Sequence, residues 1–484
     1  MLLESKLSRS AETPSPVEDS WTAAALLVAA AILFGVAVQI RNGRYSVPAF
    51  FLIAIAGVLA LFAVANPRLK IVEGRGDSIL LGLLFIGLLA QFAQLAGQAP
   101  GIYLKPGPLG LRVFQHGIGA VAVLAGVAVV APLRTVRACF FAALAIHFVL
   151  GVWTISVSPD PAIDVFTVHT EAFKALFAGE SPFSITIPNI YGDDTPFYVK
   201  STLAGGRVQV GYPYPPLGLL LALPGHLVGD FRYATLVAMH GAALFMAFAR
   251  PGRIGALVAL LYLFTPRAFF VLEQAWTEPF VVLGFSATCF LACRGSRRVP
   301  IVLGFLFAAK QYVFLAGATA FFLDGKFAWR RTAKTLGIAA AIAFATVLPF
   351  VVWDFDGFLW SVIEARKTTP FRPDSLTFLA WLDNHDIVVG GWVGLVGMAV
   401  PLGLAYWRGV RSPSGFATSV AALYFVAFSF SVAAHCNYYY LVIGLLCIAV
   451  AVMRPAGALE EPVVLHRSPV SVKLETSTRA GDDS

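Results

Sequence analysis

The sequence predicts an all-α polytopic membrane protein, on three observations. Of 484 residues, 58% are apolar and 13% charged, where a soluble domain carries about 25% charged. The apolar residues fall in long runs, the first over 21–40, and about 20 such residues span a bilayer at about 1.5 Å of rise each. Arg and Lys concentrate in the short segments between runs, as cytoplasmic loops of membrane proteins do. Together these exclude a soluble enzyme, a secreted disulfide scaffold and a disordered chain. The net charge of +8 is assigned to topology, so no nucleic-acid partner is expected.

Residues 1–20 are polar and read as a cytoplasmic tail. No short apolar core with a small-residue cleavage site precedes the run 21–40, so it reads as a retained first helix. Runs near 47–65, 78–97, 113–132 and 136–156 complete an N-terminal module over 21–156, of about five helices. With the N-terminus inside, the segments holding Arg68/Lys70/Arg75 and Arg134/Arg137 are cytoplasmic and residue 157 emerges outside.

Residues 157–211 contain no spanning run. Phe166, Phe173, Phe177, Phe183, Tyr191, Phe197 and Tyr198 argue against disorder, and a long ordered loop is usually functional. A transmembrane bundle over 212–454 follows, with runs near 213–229, 232–249, 254–266, 278–293, 301–323, 333–353, 388–406, 415–434 and 437–453 and a second outer loop over 354–387. Residues 455–484 read as a disordered cytoplasmic tail. The total is about 12 to 14 spans. Not every run between 213 and 324 reads as a full crossing. A break at Lys310-Gln311 would divide 301–323 into two half-crossings, and irregular backbone at depth is tolerated only where it is buried in protein or lines a cavity. Neither a short internal repeat nor two matched halves is visible, which weighs against a transporter.

Several residues bear on chemistry. Asp160-Pro161 reads as a helix start, an acidic N-cap before a proline at the first helical position. In the expected helix, Ile163, Phe166, Thr170, Phe173 and Phe177 form an apolar face, and Asp164, Thr167, Glu171 and Lys174 a polar one; Gly179 ends it. This is an amphipathic helix for the outer interface. Asp164 is either a first-turn acid favoured by the helix dipole or a general base beside a cavity. Tyr212 and Tyr214, in Gly211-Tyr212-Pro213-Tyr214-Pro215-Pro216-Leu217, are either interfacial belt aromatics or part of that cavity. Lys310 interrupts an apolar run, and an ionisable residue at membrane depth marks function or snorkels. Glu278 interrupts another, beside Trp276, and either holds a hydroxyl-bearing ligand or pairs with Lys310. Arg366, Lys367 and Arg372 lie in the second outer loop, where Arg suits a phosphate and a solvated loop is the plainer reading. His169 falls off the polar face and reads as structural. His226, His240 and His435 form no metal-spaced set, and Asp193-Asp194 reads as a turn. The five cysteines lie in or beside apolar runs and read as small buried residues. No essential metal or other cofactor is expected, and no phosphate-cradling glycine loop is present.

In combination these segments resemble the GT-C glycosyltransferases, in particular the bacterial polyprenyl-phosphate-mannose-dependent mannosyltransferase branch. The resemblance rests on Asp164 at the head of the outer helix, Gly179-Glu180-Ser181-Pro182-Phe183, Tyr214-Pro215-Pro216-Leu217, Gln274-Ala275-Trp276-Thr277-Glu278-Pro279, Ala309-Lys310-Gln311-Tyr312 and Asn437-Tyr438-Tyr439-Tyr440, across roughly 157–440. It implies a GT-C-like bundle and a multi-pass enzyme of the plasma (inner) membrane with its site on the extracytoplasmic face. It implies a lipid-linked sugar donor and a glycolipid, glycan or protein acceptor. Asp164 would be the catalytic base, with Glu171, Tyr212, Tyr214, Glu278, Lys310, Gln311, Arg366, Arg372 and Asn437 as substrate-binding residues. The chain departs from the simpler GT-C arrangement of a single helix before the loop, and the sequence assigns the extra N-terminal helices no role. The rival reading is a transporter or flippase for a lipid-linked or small polar substrate, which would use Lys310 and Glu278 but leave 157–211 unexplained.

Overall fold

The computed structural model describes residues 19–71, 75–107, 110–323, 328–390 and 392–454. Most of the two expected tails, 1–18 and 455–484, lies outside the described residues. The fold is all-α and about 72% helical, with almost no sheet.

In chain order the helices are α1 (Trp21–Gln39), α2 (Val47–Ala65), α3 (Gly76–Gly97), α4 (Arg112–Val130), α5 (Leu133–Val157), α6 (Asp164–Ala178), α7 (Pro216–Leu227), α8 (Arg232–Ala249), α9 (Arg253–Leu263), α10 (Ala268–Glu273), α11 (Glu278–Cys293), α12 (Val299–Phe307), α13 (Trp329–Trp353), α14 (Phe355–Leu359), α15 (Ala365–Lys367), α16 (Phe378–Asp383), α17 (Trp392–Arg408), α18 (Pro413–Ser429) and α19 (Cys436–Val452). A 3₁₀ helix covers Gln311–Phe322, and Trp360–Glu364 is a π turn between α14 and α15. In the first long loop β1 (Ile187–Pro188), β2 (Leu203–Ala204) and β3 (Arg207–Val208) form a small antiparallel sheet in the order β1-β3-β2.

Seven helices, α1–α5, α8 and α13, are long and apolar enough to cross a membrane, so the chain is a multi-pass membrane protein by length and composition. Other apolar helices are shorter, with 11 residues in α9, 16 in α11 and 17 in α18 and α19. Burial accounts for the difference. Nearly every residue of α19 and α9 is buried, so these helices are enclosed by protein rather than matched to lipid. By contrast Phe344, Leu348 and Val352 of α13 are exposed, as suits lipid contact.

Hydrogen bonds define two ends of the bundle. At one end Asp19 accepts from Ser414 (2.8 Å) and from the Arg454 backbone N–H (2.7 Å), Arg250 donates to Val452 O (3.1 Å), Arg253 donates to Ala131 O (2.6 Å) and Arg294 donates to Phe248 O (2.8 Å). At the other end Tyr45 N–H donates to Asp374 O (2.8 Å), Lys105 N–H to Val157 O (2.6 Å) and Arg232 to Ser158 O (2.8 Å). The second end carries the cavity described below.

This arrangement resolves the parity conflict in 213–324. α7 does not cross: Tyr214 just before it lines the cavity, and His226 near its end stacks on Phe173 of α6 at 4.2 Å. The run 301–323 is broken where expected. α12 stops at Phe307, Lys310 has extended backbone, and the chain continues as a 3₁₀ helix. Runs of 3₁₀ longer than about four residues are uncommon, and this one has 12. The N-terminal helices share one apolar core with the rest, α1 packing on α19, α2 on α18, and α3 and α5 on α9.

Two details of α6 differ from expectation. It begins at Asp164 rather than after Asp160, because Ile163 is extended and its N–H closes a tight turn onto Pro161 O (2.8 Å). Its buried face is Val165, Val168, His169 and Ala172 with Phe173, while Phe177 is exposed. His169 belongs to that face because its polar atoms are satisfied there: Nδ1 meets Val165 O at 2.9 Å and Nε2 meets the Tyr212 hydroxyl at 3.3 Å. The second long loop is largely helical, and Gly179 closes α6 with positive φ, as expected.

Candidate functional site

A cavity of about 310 Å³ opens at the second end of the bundle, near the lower size of small-ligand sites. Segments far apart in sequence build it. The α1–α2 turn supplies Asn42 and Arg44, and the α3–α4 loop Ile102 and Tyr103. The 157–211 segment supplies Asp164, Tyr191, Phe197 and Tyr198. The bundle supplies Tyr214, Gln274, Trp276 and Lys310; the second loop adds Arg366 and Arg372, and the α18–α19 turn His435, followed by Asn437 and Tyr438 in the first turn of α19.

Of the residues expected in a site, Asp164, Tyr214, Lys310, Arg366, Arg372 and Asn437 line this one cavity. The others stand off it for identifiable reasons. Glu171 pairs with Lys174 (2.7 Å) and lies 3.9 Å from Arg207, tying α6 to β3. Tyr212 is fully buried behind the wall against His169. Gln311 donates to Pro213 O (2.7 Å) and Val362 O (3.2 Å), fixing backbone. Glu278 is fully buried and holds Lys310 Nζ at 2.5 Å, also accepting from the Tyr312 hydroxyl (3.3 Å). Asp193 and Asp194 are exposed, Asp193 accepting from Asn189 (3.3 Å) within a turn. All five cysteines are free.

Asp164 heads α6 and faces the cavity, partly open to it although protein surrounds it. Its Oδ1 accepts from Val165 N–H (2.8 Å) and Oδ2 from the Tyr198 hydroxyl (3.2 Å); its own N–H donates to the Tyr191 hydroxyl (3.1 Å). Burial raises its pKa above the ordinary carboxylate value, against the lowering pull of the Tyr198 and Val165 bonds and the Arg366 and Arg372 charges. Burial and the Asp164 charge also raise the Tyr191 and Tyr198 phenols, so both stay protonated and Tyr198 remains a donor. A carboxylate with raised proton affinity, open to a cavity, suits proton acceptance.

Four cationic side chains, Arg44, Lys310, Arg366 and Arg372, line the cavity with Asp164. Their charges are not equally available. Lys310 is neutralised by Glu278. Arg372 is held by Asp374 through two 2.8 Å bonds and lies 4.1 Å from the Phe197 ring centre. Arg44 lies 4.0 Å from the same Asp374. Arg366 makes no ion pair or side-chain hydrogen bond among the described residues, and it is exposed to the cavity. His435 is pushed down to about 4, by burial first and then by Arg372 and Arg44, so it is neutral at pH 7. The lining is therefore electropositive and suited to an anion. In the cavity wall Asn437 Oδ1, and behind the wall Glu278 Oε2, are buried acceptors without a donor among the described residues. Tyr214, Trp276 and Tyr438 add aromatic surface near them.

Sequence reasoning missed Tyr191 and Tyr198 as partners of Asp164 and noted them only as aromatic content. Arg44 and Tyr103 carried no local signal, because only the tertiary fold brings the N-terminal helices to the cavity. No group of three or more His, Cys, Asp or Glu side chains is placed to hold a metal ion among the described residues. Comparison of the chain with known families, curated proteins and solved structures finds no match.

Proposed function

We propose that the protein is a membrane glycosyltransferase of GT-C type, moving a sugar, mannose or similar, from a polyprenyl-phosphate donor to a hydroxyl acceptor. The observation that carries this reading is the meeting, in one cavity, of the Asp164 carboxylate and the Arg366 guanidinium, which has no ion-pair partner among the described residues. The acceptor is a glycolipid, glycan or protein. Its hydroxyl gives its proton to Asp164 as its oxygen bonds to the anomeric carbon. The bond from that carbon to the phosphate oxygen breaks, and the electron pair leaves with polyprenyl phosphate. Attack opposite the leaving group inverts the anomeric centre. Arg366, the cavity cation without an ion pair among the described residues, offsets the phosphate charge. The Asn437 Oδ1 acceptor, in the cavity wall and without a partner among the described residues, suits a sugar hydroxyl.

The charge distribution supports an extracytoplasmic site, and the proposed setting is the plasma (inner) membrane. Arg134/Arg137, Arg250/Arg253 and Arg294/Arg297/Arg298 lie at or next to the end opposite the cavity, and positive loops face the cytoplasm.

The test is a transfer assay in membranes with radiolabelled polyprenyl-phosphate mannose, comparing wild type with Asp164→Asn. Incorporation by wild type that the variant loses, at equal membrane insertion, supports both the reaction and the base. Full activity in Asp164→Asn sinks the base assignment. Substrate uptake into sealed vesicles without transfer would favour the transporter instead.

A further inference from the structure

The first five helices reach the cavity through two loops, and one of them is gripped from the other side. Residues Gln98–Gly107 run from α3 towards α4. The buried Glu273 carboxylate, at the end of α10, accepts the consecutive backbone N–H groups of Ile102 and Tyr103, each at 2.8 Å. The fit is close: a Cβ on Gly101 would stand 2.2 Å from Glu273 Oε1. Arg267 holds the same loop upstream, donating to Ala99 O (3.0 Å) and to the Gln98 side chain. Downstream, Lys105 N–H donates to Val157 O (2.6 Å).

The gripped loop in turn holds the start of α6. The Tyr103 hydroxyl donates to Ala162 O (2.8 Å), two residues before Asp164. Besides the Pro161–Ile163 turn and the Tyr191 bond to the Asp164 N–H, that stretch has no side-chain N-cap to fix it. Ile102 and Tyr103 are also cavity wall. A buried carboxylate bound to two backbone amides is a strong anchor, since charge-assisted hydrogen bonds exceed neutral ones.

We propose that Glu273 and Tyr103 form a latch by which the N-terminal helices position Asp164. Both are positioning residues: Glu273 fixes the Ile102–Tyr103 backbone, and Tyr103 fixes the chain at Ala162 and hence the carboxylate. The catalytic part rests on the glycosyltransferase reading. The latch makes the N-terminal helices part of the site rather than an appended module.

The experiment pairs steady-state transfer kinetics with amide hydrogen exchange on the purified full-length protein in detergent. Tyr103→Phe removes only the hydroxyl. Its kcat is expected to fall about tenfold with donor KM unchanged within about twofold, because the base is displaced while donor contacts remain. Exchange over 160–166 is expected to rise with the melting temperature unchanged. Glu273→Gln is expected to raise exchange over 100–105 as well; should it fail to fold, Tyr103→Phe carries the test alone. Wild-type kcat in Tyr103→Phe, or unchanged exchange over 160–166, overturns the proposal. If wild-type protein transfers no sugar from any polyprenyl-phosphate donor, the glycosyltransferase reading fails and the exchange arm alone decides whether the latch exists.

Discussion

The Tyr198 hydroxyl donates to Oδ2 of Asp164 across 3.2 Å, within a loop that also brings Tyr191 to the Asp164 backbone N–H. Burial raises the proton affinity of this carboxylate, and the Tyr198 bond opposes that rise. A general base works only when deprotonated, so transfer should fall as pH drops through the raised pKa. The acid limb of kcat/KM should therefore lie above the ordinary aspartate value of about 3.9. Tyr198→Phe removes a donor to the charged form, so the limb should move to higher pH by about one pH unit. A pH–rate profile of both proteins checks this; an unmoved limb, or one moved to lower pH, refutes it.

Lys310 and Glu278 should be coupled in stability. Their 2.5 Å contact is buried on both sides, with 6% and 0% side-chain exposure. Lys310→Met strands a buried carboxylate, and breaking such a pair costs about 3–5 kcal/mol. Replacing both residues, Lys310→Met with Glu278→Leu, removes the stranded charge and should restore most of the thermal stability while leaving transfer impaired. Thermal unfolding of the two single variants and the double variant in detergent measures the coupling. Additive losses would show that the pair does not act as a unit.

The two loop arginines should behave differently, although the sequence offers them as equivalents. Arg366 is unpaired among the described residues, so Arg366→Ala should leave the melting temperature nearly unchanged. It should raise donor KM roughly tenfold or more, the worth of a charge-assisted hydrogen bond of about 1.5–3 kcal/mol. Arg372 is bound to Asp374 by two side-chain hydrogen bonds and lies 4.1 Å from the Phe197 ring centre. Arg372→Ala should lower stability and affect donor and acceptor alike. Equal donor KM effects in the two variants would remove the distinction.

What the sequence made legible follows the range of each signal. Helix positions, the break at Lys310 and the Gly179 stop were readable because apolar periodicity and misplaced charges are local signals, whereas the grouping of Asp164, Tyr214, Lys310, Arg366, Arg372 and Asn437, which line one cavity, came from the family resemblance. Pairings were not. Glu171 has the right spacing for a polar face, but Lys174 pairs with it at 2.7 Å and Arg207 in β3 lies 3.9 Å away. His169 looked out of place on its helix because its partner, Tyr212, lies 43 residues away in the chain. The onset of α6 was misplaced because Asp160-Pro161 is a sound capping pair, which the turn at Pro161–Ile163 overrides. Burial of α9 and α19 inside the bundle explains helices too short for the bilayer-length rule.

Gly211 should be the least replaceable glycine in the approach to Tyr214. Its φ is +63°, and an added Cβ would stand 2.2 Å from Phe183 O and 2.6 Å from Ser361 Cβ. Its N–H donates to Ile185 O (3.1 Å), and the next residue bonds Pro182 O (3.0 Å), so the segment cannot move aside without breaking both. Gly206 provides a matched control, with φ +72° and nothing within 4 Å of a Cβ. Gly206→Ala should cost only the left-handed backbone penalty, about 1–2 kcal/mol. Gly211→Ala adds a backbone clash and should cost several kcal/mol more, on the scale of roughly 4–5 kcal/mol that marks severe substitutions. Because Tyr214 follows three residues later and lines the cavity, transfer should also fall in Gly211→Ala, even below its melting temperature, and not in Gly206→Ala. Thermal unfolding and transfer rates of the pair separate the two costs, and equal melting temperatures would show that the close approach at Phe183 is not what requires glycine there.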